Sequence, residues 1–149
     1  MSTYTQILYQ VVFGTKHHER TLIKKDRAEL FQYISGLLKK RNCHLYQING
    51  VEDHLHIILS LHPSTALADL VKDIKLSTTK LIREKALFPD FGGWQDGYAA
   101  FTYQVSAREN LIRYVKKQEE HHKVQPFEKE YARLLNAHKI AYDEKYLLL

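Results

Sequence analysis

The sequence predicts an α+β sandwich with the element order β-α-β-β-α-β, extended by two C-terminal helices. Three observations carry that prediction. Leu55, Ile57, Leu59 and Leu61 alternate with His54, His56, Ile58 and Ser60, the period-two pattern of a strand. The segments Asp26 to Arg41 and Ala66 to Leu87 repeat apolar residues at helical spacing. A chain of 149 residues that is 44% hydrophobic and 26% charged suits one folded core rather than two domains or a disordered chain.

Each element has its own local signal. Tyr4 to Phe13 is rich in Tyr, Ile, Leu and Val, is closed by Gly14, and reads as a buried strand. In the helix Asp26 to Arg41, Leu30, Ile34, Leu37 and Leu38 form the apolar stripe, and Lys and Arg gather at its C-terminal end. Leu45 to Val51 is a second strand, joined to His54–Leu61 by the polar turn Glu52-Asp53, and Pro63 ends that hairpin. Ala66 to Leu87 buries Leu67, Leu70, Val71, Ile74, Leu81 and Ile82, with Lys72, Lys75, Thr79 and Arg83 on the opposite face. After the loop Phe88 to Gly93, Tyr98 to Val105 is a fourth strand, rich in aromatics. Ser106-Ala-Arg-Glu109 has the form of a capping box, which starts a helix running to about Lys123. Beyond Pro126 a last helix buries Phe127, Tyr131, Leu134 and Leu135. The expectation is a single domain over residues 1–149, with a core at about 4–123 and a helical tail at 124–149. This order is the plan of ferredoxin-like and RRM-like sandwiches, an antiparallel sheet with helices on one face and the other face open. The fold hosts many functions and selects none.

Composition narrows the class further. Six Gly and three Pro leave no room for a flexible linker or a collagenous repeat. The longest apolar run is too short to span a bilayer, and the N-terminus lacks the pattern of a signal peptide. A single cysteine, Cys43, excludes an internal disulfide and fits a reducing compartment, so a soluble, cytoplasmic protein is expected. The formal charge of +5 is modest. Between Lys16 and Arg27, however, the basic residues Lys16, Arg20, Lys24, Lys25 and Arg27 face only Glu19 and Asp26. Such a cluster is a solvated loop by default and a phosphate-binding loop if a nucleic acid is the partner.

The candidate chemistry lies in two places. Side chains at alternate positions of a strand point the same way, so His54 and His56 can share one metal ion, while Leu55 points into the helical layer. Alone, a His-x-His pair is a weak signal and is equally an incidental pair on an exposed strand face. Tyr114 and Gln118 are four residues apart on the capped helix, hence side by side. Alone, Tyr114 is equally a half-buried aromatic with a wet hydroxyl. His121 shares their face and is a candidate for contact with the metal region or a phosphate. Lys116 and Lys117 flank the tyrosine turn, and Lys72, Lys75 and Arg83 line one face of the second helix. Trp94 and Tyr98 are candidates for base stacking or for the core, and Trp94 fits the core better.

Taken together, these segments resemble the single-tyrosine HUH transposases of the IS200/IS605 type. The resemblance rests on Glu52-Asp53-His54-Leu55-His56-Ile57-Ile58-Leu59, on Trp94-Gln-Asp-Gly97-Tyr98, and on Asn110-Leu-Ile-Arg-Tyr114-Val-Lys-Lys-Gln118. It covers roughly residues 7 to 122, in order and with the expected spacing; the tail from Pro126 onward matches less well. It implies cleavage and rejoining of single-stranded DNA at hairpin ends of a mobile element, with Tyr114 as nucleophile. It implies one Mg²⁺ or Mn²⁺ ion on His54, His56 and Gln118; Asp53 and His121 are candidate supporting residues beside that set. It implies a homodimer as well. Lys16, Arg20, Lys24, Lys72, Lys75, Arg83, Lys116 and Lys117 then become candidate phosphate contacts, which position DNA without reading its sequence.

Four other readings use the same residues. A repeat-associated HUH nuclease shares the chemistry. A non-catalytic nucleic-acid-binding module would leave no covalent product. A metal-dependent phosphodiesterase of small nucleotides would not need Tyr114. A replication initiator or relaxase is normally longer than 149 residues.

Overall fold

Four strands form one antiparallel sheet in the order β2-β3-β1-β4: β1 (Leu8–Gly14), β2 (His44–Gly50), β3 (His54–Ser60) and β4 (Ala99–Tyr103). The two most apolar strands, β1 and β3, take the centre. Helices α1 (Lys24–Lys40) and α2 (Leu67–Glu84) connect β1 to β2 and β3 to β4, which is the expected β-α-β-β-α-β plan. The computed structural model of the chain describes residues 2–121 and 125–147.

Alternation decides what each face of the sheet carries. Val11 and Phe13 of β1 and Leu55, Ile57 and Leu59 of β3 point toward α1 and α2. There they meet Leu30, Ile34, Leu38, Leu70, Val71 and Ile74 in the main core. Burying each of these large apolar side chains contributes about 1.5–3 kcal/mol. Trp94 joins this core and donates from Nε1 to Thr78 Oγ1 at 2.9 Å, so its indole is structural.

The opposite face is closed, contrary to the open face expected from the sequence. Three further helices lie beyond β4: α3 (Arg108–Lys116), α4 (Gln118–His121) and α5 (Phe127–Ala137). Leu111 and Val115 of α3 cover Leu8 and Ile58, while Phe127, Tyr131, Leu134 and Leu135 of α5 cover Val12, Ala99 and Phe101. α5 therefore belongs to the packed body of the protein. Gly14 allows its approach: a Cβ there would lie 2.7 Å from Asp53 O and 3.0 Å from the Phe127 ring.

Two expected boundaries shift for clear reasons. β1 begins at Leu8 rather than Tyr4, because Leu8 against Tyr103 and Tyr9 against Leu59 are its outermost pairs; Tyr4 is 91% exposed. The helix expected from Ser106 to Lys123 is broken at Lys117. Asn49 Nδ2 donates to Val115 O and Lys116 O, both at 3.0 Å, and so satisfies carbonyls that a continuing helix would have used. The capping box does not form either. Val105–Ala107 is a 3₁₀ turn, and Ser106 Oγ bonds Gln104 Oε1 instead of an amide of the helix.

Candidate active site

His54 and His56 stand on the half of β3 nearest the Glu52-Asp53 turn, opposite Gly14 and Val12 of β1. Both imidazoles point under α3–α5 and are fully buried. The open, cheaply solvated face expected for them is thus replaced by a dry one, where each ring nitrogen needs a partner. Asp53 Oδ1 lies 2.8 Å from His54 Nδ1, and the Gln10 amide nitrogen lies 3.0 Å from His56 Nδ1. Gln10 is held in turn by the Tyr103 hydroxyl, which donates to its Oε1 at 2.7 Å. The face of the His54 ring stacks on Phe127, with centroids 3.8 Å apart and planes 1° from parallel.

The two Nε2 atoms converge on a residue of α5. Glu130 Oε1 is 3.2 Å from His54 Nε2 and 3.1 Å from His56 Nε2, and Glu130 is itself fully buried. Gln118 Oε1 lies 3.2 Å from His54 Nε2, and Gln118 Nε2 donates to Glu130 Oε2 at 3.2 Å. The Tyr114 hydroxyl also donates to Glu130 Oε2, and Arg133 Nη2 donates to the Tyr114 oxygen at 2.8 Å. Although Tyr114 and Gln118 belong to successive helices, they reach the same carboxylate. Asp53, His54, His56, Tyr114 and Gln118 therefore all meet at one place.

The charges are uneven. Burial alone would depress the His54 pKa, but its hydrogen bonds to Asp53 and Glu130 outweigh burial and hold it above the ordinary value. Burial, followed by the adjacent Glu130 carboxylate, pushes the Tyr114 phenol far above its usual range; Arg133 and Gln118 pull the other way. Burial likewise pushes Tyr103 up to about 12. A buried carboxylate set against two imidazoles calls for positive charge from protonated rings or from a cation.

The residues fit a divalent cation. One ligand atom each from His54, His56 and Glu130 lie within 4.8 Å of one another, and the Gln118 amide oxygen adjoins them. Two imidazoles, a carboxylate and an amide oxygen suit Mg²⁺ or Mn²⁺. Metal binding through Nε2 requires each Nδ1 to carry its proton. For His54, Asp53 accepts that proton. For His56, the Gln10 amide need only turn over, so that its oxygen accepts from His56 and its nitrogen donates to Tyr103.

The other predicted residues are scattered. Lys16, Lys116 and Lys117 are exposed. Arg20 pairs with Glu52 and Lys24 with Glu119, each at 3.3 Å across exposed surface. Lys72 and Arg83 are exposed on α2, across the sheet from the histidines. Lys75 is a correction: it is half-buried and donates to Gln95 O at 2.9 Å and to Gly97 O, over the Phe13 ring. It anchors the loop before β4 rather than facing solvent. The side chain of His121, and His122 altogether, lie outside the described residues.

Glu130, Gln10 and Arg133 escaped the sequence reading, although two of them left a trace. Glu130 falls on the stripe of Phe127, Tyr131 and Leu134, and Gln10 lies between Leu8 and Val12 on one strand face. A polar residue in a buried stripe asks for a polar partner.

A pair of histidines on a central strand, with a tyrosine and a glutamine delivered by helices, thus converges on one buried carboxylate. The chain belongs to the IS200-like transposase family, whose model matches residues 3–118. It is similar to the ISDra2 transposase TnpA of Deinococcus radiodurans, with 22% identity over 120 residues that cover 76% of this chain and 84% of the relative. Two solved structures share the fold. One, described as a transposase of Deinococcus radiodurans R1, has a TM-score of 0.61 and 20% identity, covering 79% of this chain and 95% of its own. The other, the REP-associated tyrosine transposase bound to a REP hairpin, also has a TM-score of 0.61, with 16% identity over 97% of this chain and 93% of its own. Among the described residues, no helix is long and apolar enough to cross a membrane.

Proposed function

We propose that this transposase cleaves and rejoins single-stranded DNA through a 5′-phosphotyrosine on Tyr114, at hairpin ends of a mobile element. The observation that carries the reading is Glu130, which bonds the Tyr114 hydroxyl through one oxygen and adjoins both imidazoles through the other. The His54 and His56 Nε2 atoms, Gln118 Oε1 and Glu130 Oε1 would hold a divalent cation, Mg²⁺ or Mn²⁺, whose chemistry when bound is to polarise the phosphate.

The chain's own residues do the rest. Asp53 and Gln10 fix the two rings, and Phe127 excludes water from the His54 face. The Tyr114 oxygen forms a bond to phosphorus while the bond from phosphorus to the 3′ oxygen breaks and its electron pair leaves with that oxygen. Glu130 Oε2 takes the phenol proton in cleavage and returns it to the Tyr114 oxygen in rejoining, and the 3′ oxygen released in cleavage takes one proton from solvent. The phosphotyrosine keeps the energy of the broken bond, so a second 3′ end can be joined without ATP. Lys16, Lys116 and Lys117 are exposed and available to hold backbone phosphates. Support for a hairpin substrate comes from the fold-sharing REP-associated transposase, which is bound to one. A homodimer is part of the proposal, as the way for a chain this small to hold two DNA ends. A monomeric mass in solution with full strand transfer would contradict it.

The test is incubation of the protein with single-stranded hairpin DNA and Mn²⁺ or Mg²⁺, followed by a denaturing gel. A protein–DNA adduct that disappears in Tyr114→Phe and in His56→Ala is the expected result. Cleavage that persists in Tyr114→Phe would overturn the tyrosine mechanism.

A further inference from the structure

We propose that Arg133 is a catalytic residue of both cleavage and rejoining, its guanidinium clasping the Tyr114 oxygen and the scissile phosphate together. The assignment rests on the proposed role of Tyr114. It does not come from the family match, which ends at residue 118, before α5 begins.

The geometry begins with helical spacing. Glu130 and Arg133 are three residues apart on α5, hence on adjoining parts of its surface, and the Tyr114 hydroxyl meets both. Arg133 Nη2 donates to that oxygen at 2.8 Å, and its guanidinium carbon stands 5.8 Å from the centre of the Tyr114 ring. Glu130 is sealed from solvent, whereas Arg133 is exposed. DNA approaching Tyr114 from solvent therefore meets the cation before the carboxylate.

A cavity of about 310 Å³ opens at the same point, lined by Gln10, Tyr103, Asn110, Leu111, Tyr114 and Arg133. Its walls are mostly apolar, with a few amide and hydroxyl groups, which suits a nucleotide next to the broken bond. The phosphate of that nucleotide would lie beside the tyrosine oxygen and close to the Glu130 carboxylate, a repulsive arrangement unless a cation stands there. A guanidinium has five N–H donors in a planar fork, so one can stay on the tyrosine oxygen while others bind a phosphate oxygen. It stays charged throughout and neither gains nor loses a proton. In cleavage it stabilises charge on the tyrosine oxygen as the proton leaves for Glu130. In rejoining it stabilises the same oxygen as a leaving group.

The test uses the full chain, a synthetic pool of single-stranded DNA hairpins with randomised flanks, and Mn²⁺. Single-turnover adduct formation is compared for wild type, Arg133→Gln, Arg133→Lys and Tyr114→Phe. Binding of the same pool without metal, Mn²⁺ affinity and melting temperature are measured alongside. Arg133→Gln should slow adduct formation by about 100-fold, the usual cost of removing one charge-stabilising donor. Arg133→Lys, which keeps the charge but loses the fork, should recover only part of the rate. DNA binding, Mn²⁺ affinity and melting should stay close to wild type. An unchanged rate in Arg133→Gln, or a loss of DNA binding as large as the loss of rate, would overturn the assignment. Absence of any adduct in wild type would instead overturn the proposed role of Tyr114.

Discussion

The two faces of the central sheet are built by the same strands and do opposite things. On β3, Leu55, Ile57 and Leu59 enter an apolar core against α1 and α2, while their neighbours His54 and His56 enter an equally dry layer under α3–α5. On the first face any apolar set of the right volume would serve, because dispersion and burial are non-directional. On the second, each polar group is held by a named partner: Asp53 and Gln10 behind the rings, Glu130 and Gln118 in front. A dry polar cluster is costly unless it is fully paired, and full pairing is what gives its members fixed directions. One face supplies stability; the other uses part of it to aim a site.

Substitutions that separate the two roles break or sharpen the contrast. The largest effect on stability is expected on the apolar face, where Phe13→Ala should cost about 3–5 kcal/mol in urea unfolding. The stabilisation that Mn²⁺ gives should remain in that variant. On the other face, Glu130→Gln should remove about half or more of that stabilisation, which for wild type is about 2.7 kcal/mol at 100 times the dissociation constant; melting with and without Mn²⁺ measures it. Gln10→Leu should weaken Mn²⁺ binding by about 10–100-fold, since it frees the His56 ring to turn, and calorimetry reads that change. Smallest of all, Lys116→Ala should shift stability by less than about 0.5 kcal/mol. It should lower the salt dependence of hairpin binding by about one phosphate contact.

How much of this was legible beforehand depends on distance along the chain. Alternation in β3 and the stripes of α1 and α2 are local patterns, and they sufficed for the sheet plan and for the shared direction of His54 and His56. The closed second face was not legible, because the amphipathic pattern of Phe127, Tyr131 and Leu134 shows that α5 has a buried side but not what it covers. The break at Lys117 depends on Asn49, a residue of β2 that no pattern within the helix reveals. Lys75 looked solvent-facing by helical phase, yet the carbonyls of Gln95 and Gly97 capture it. Glu130 was the readable miss, since a carboxylate on an apolar stripe already asks for a partner.

The proposed metal site is complete only with α5, which brings Glu130 to the two histidines. Calorimetric titration of the full chain with MnCl₂ tests it most directly. One ion per chain is expected in wild type, with affinity lowered at least about tenfold in Glu130→Gln and lost when His54 and His56 are both replaced by Ala. Equal affinity in wild type and Glu130→Gln would contradict it and leave α5 as packing alone.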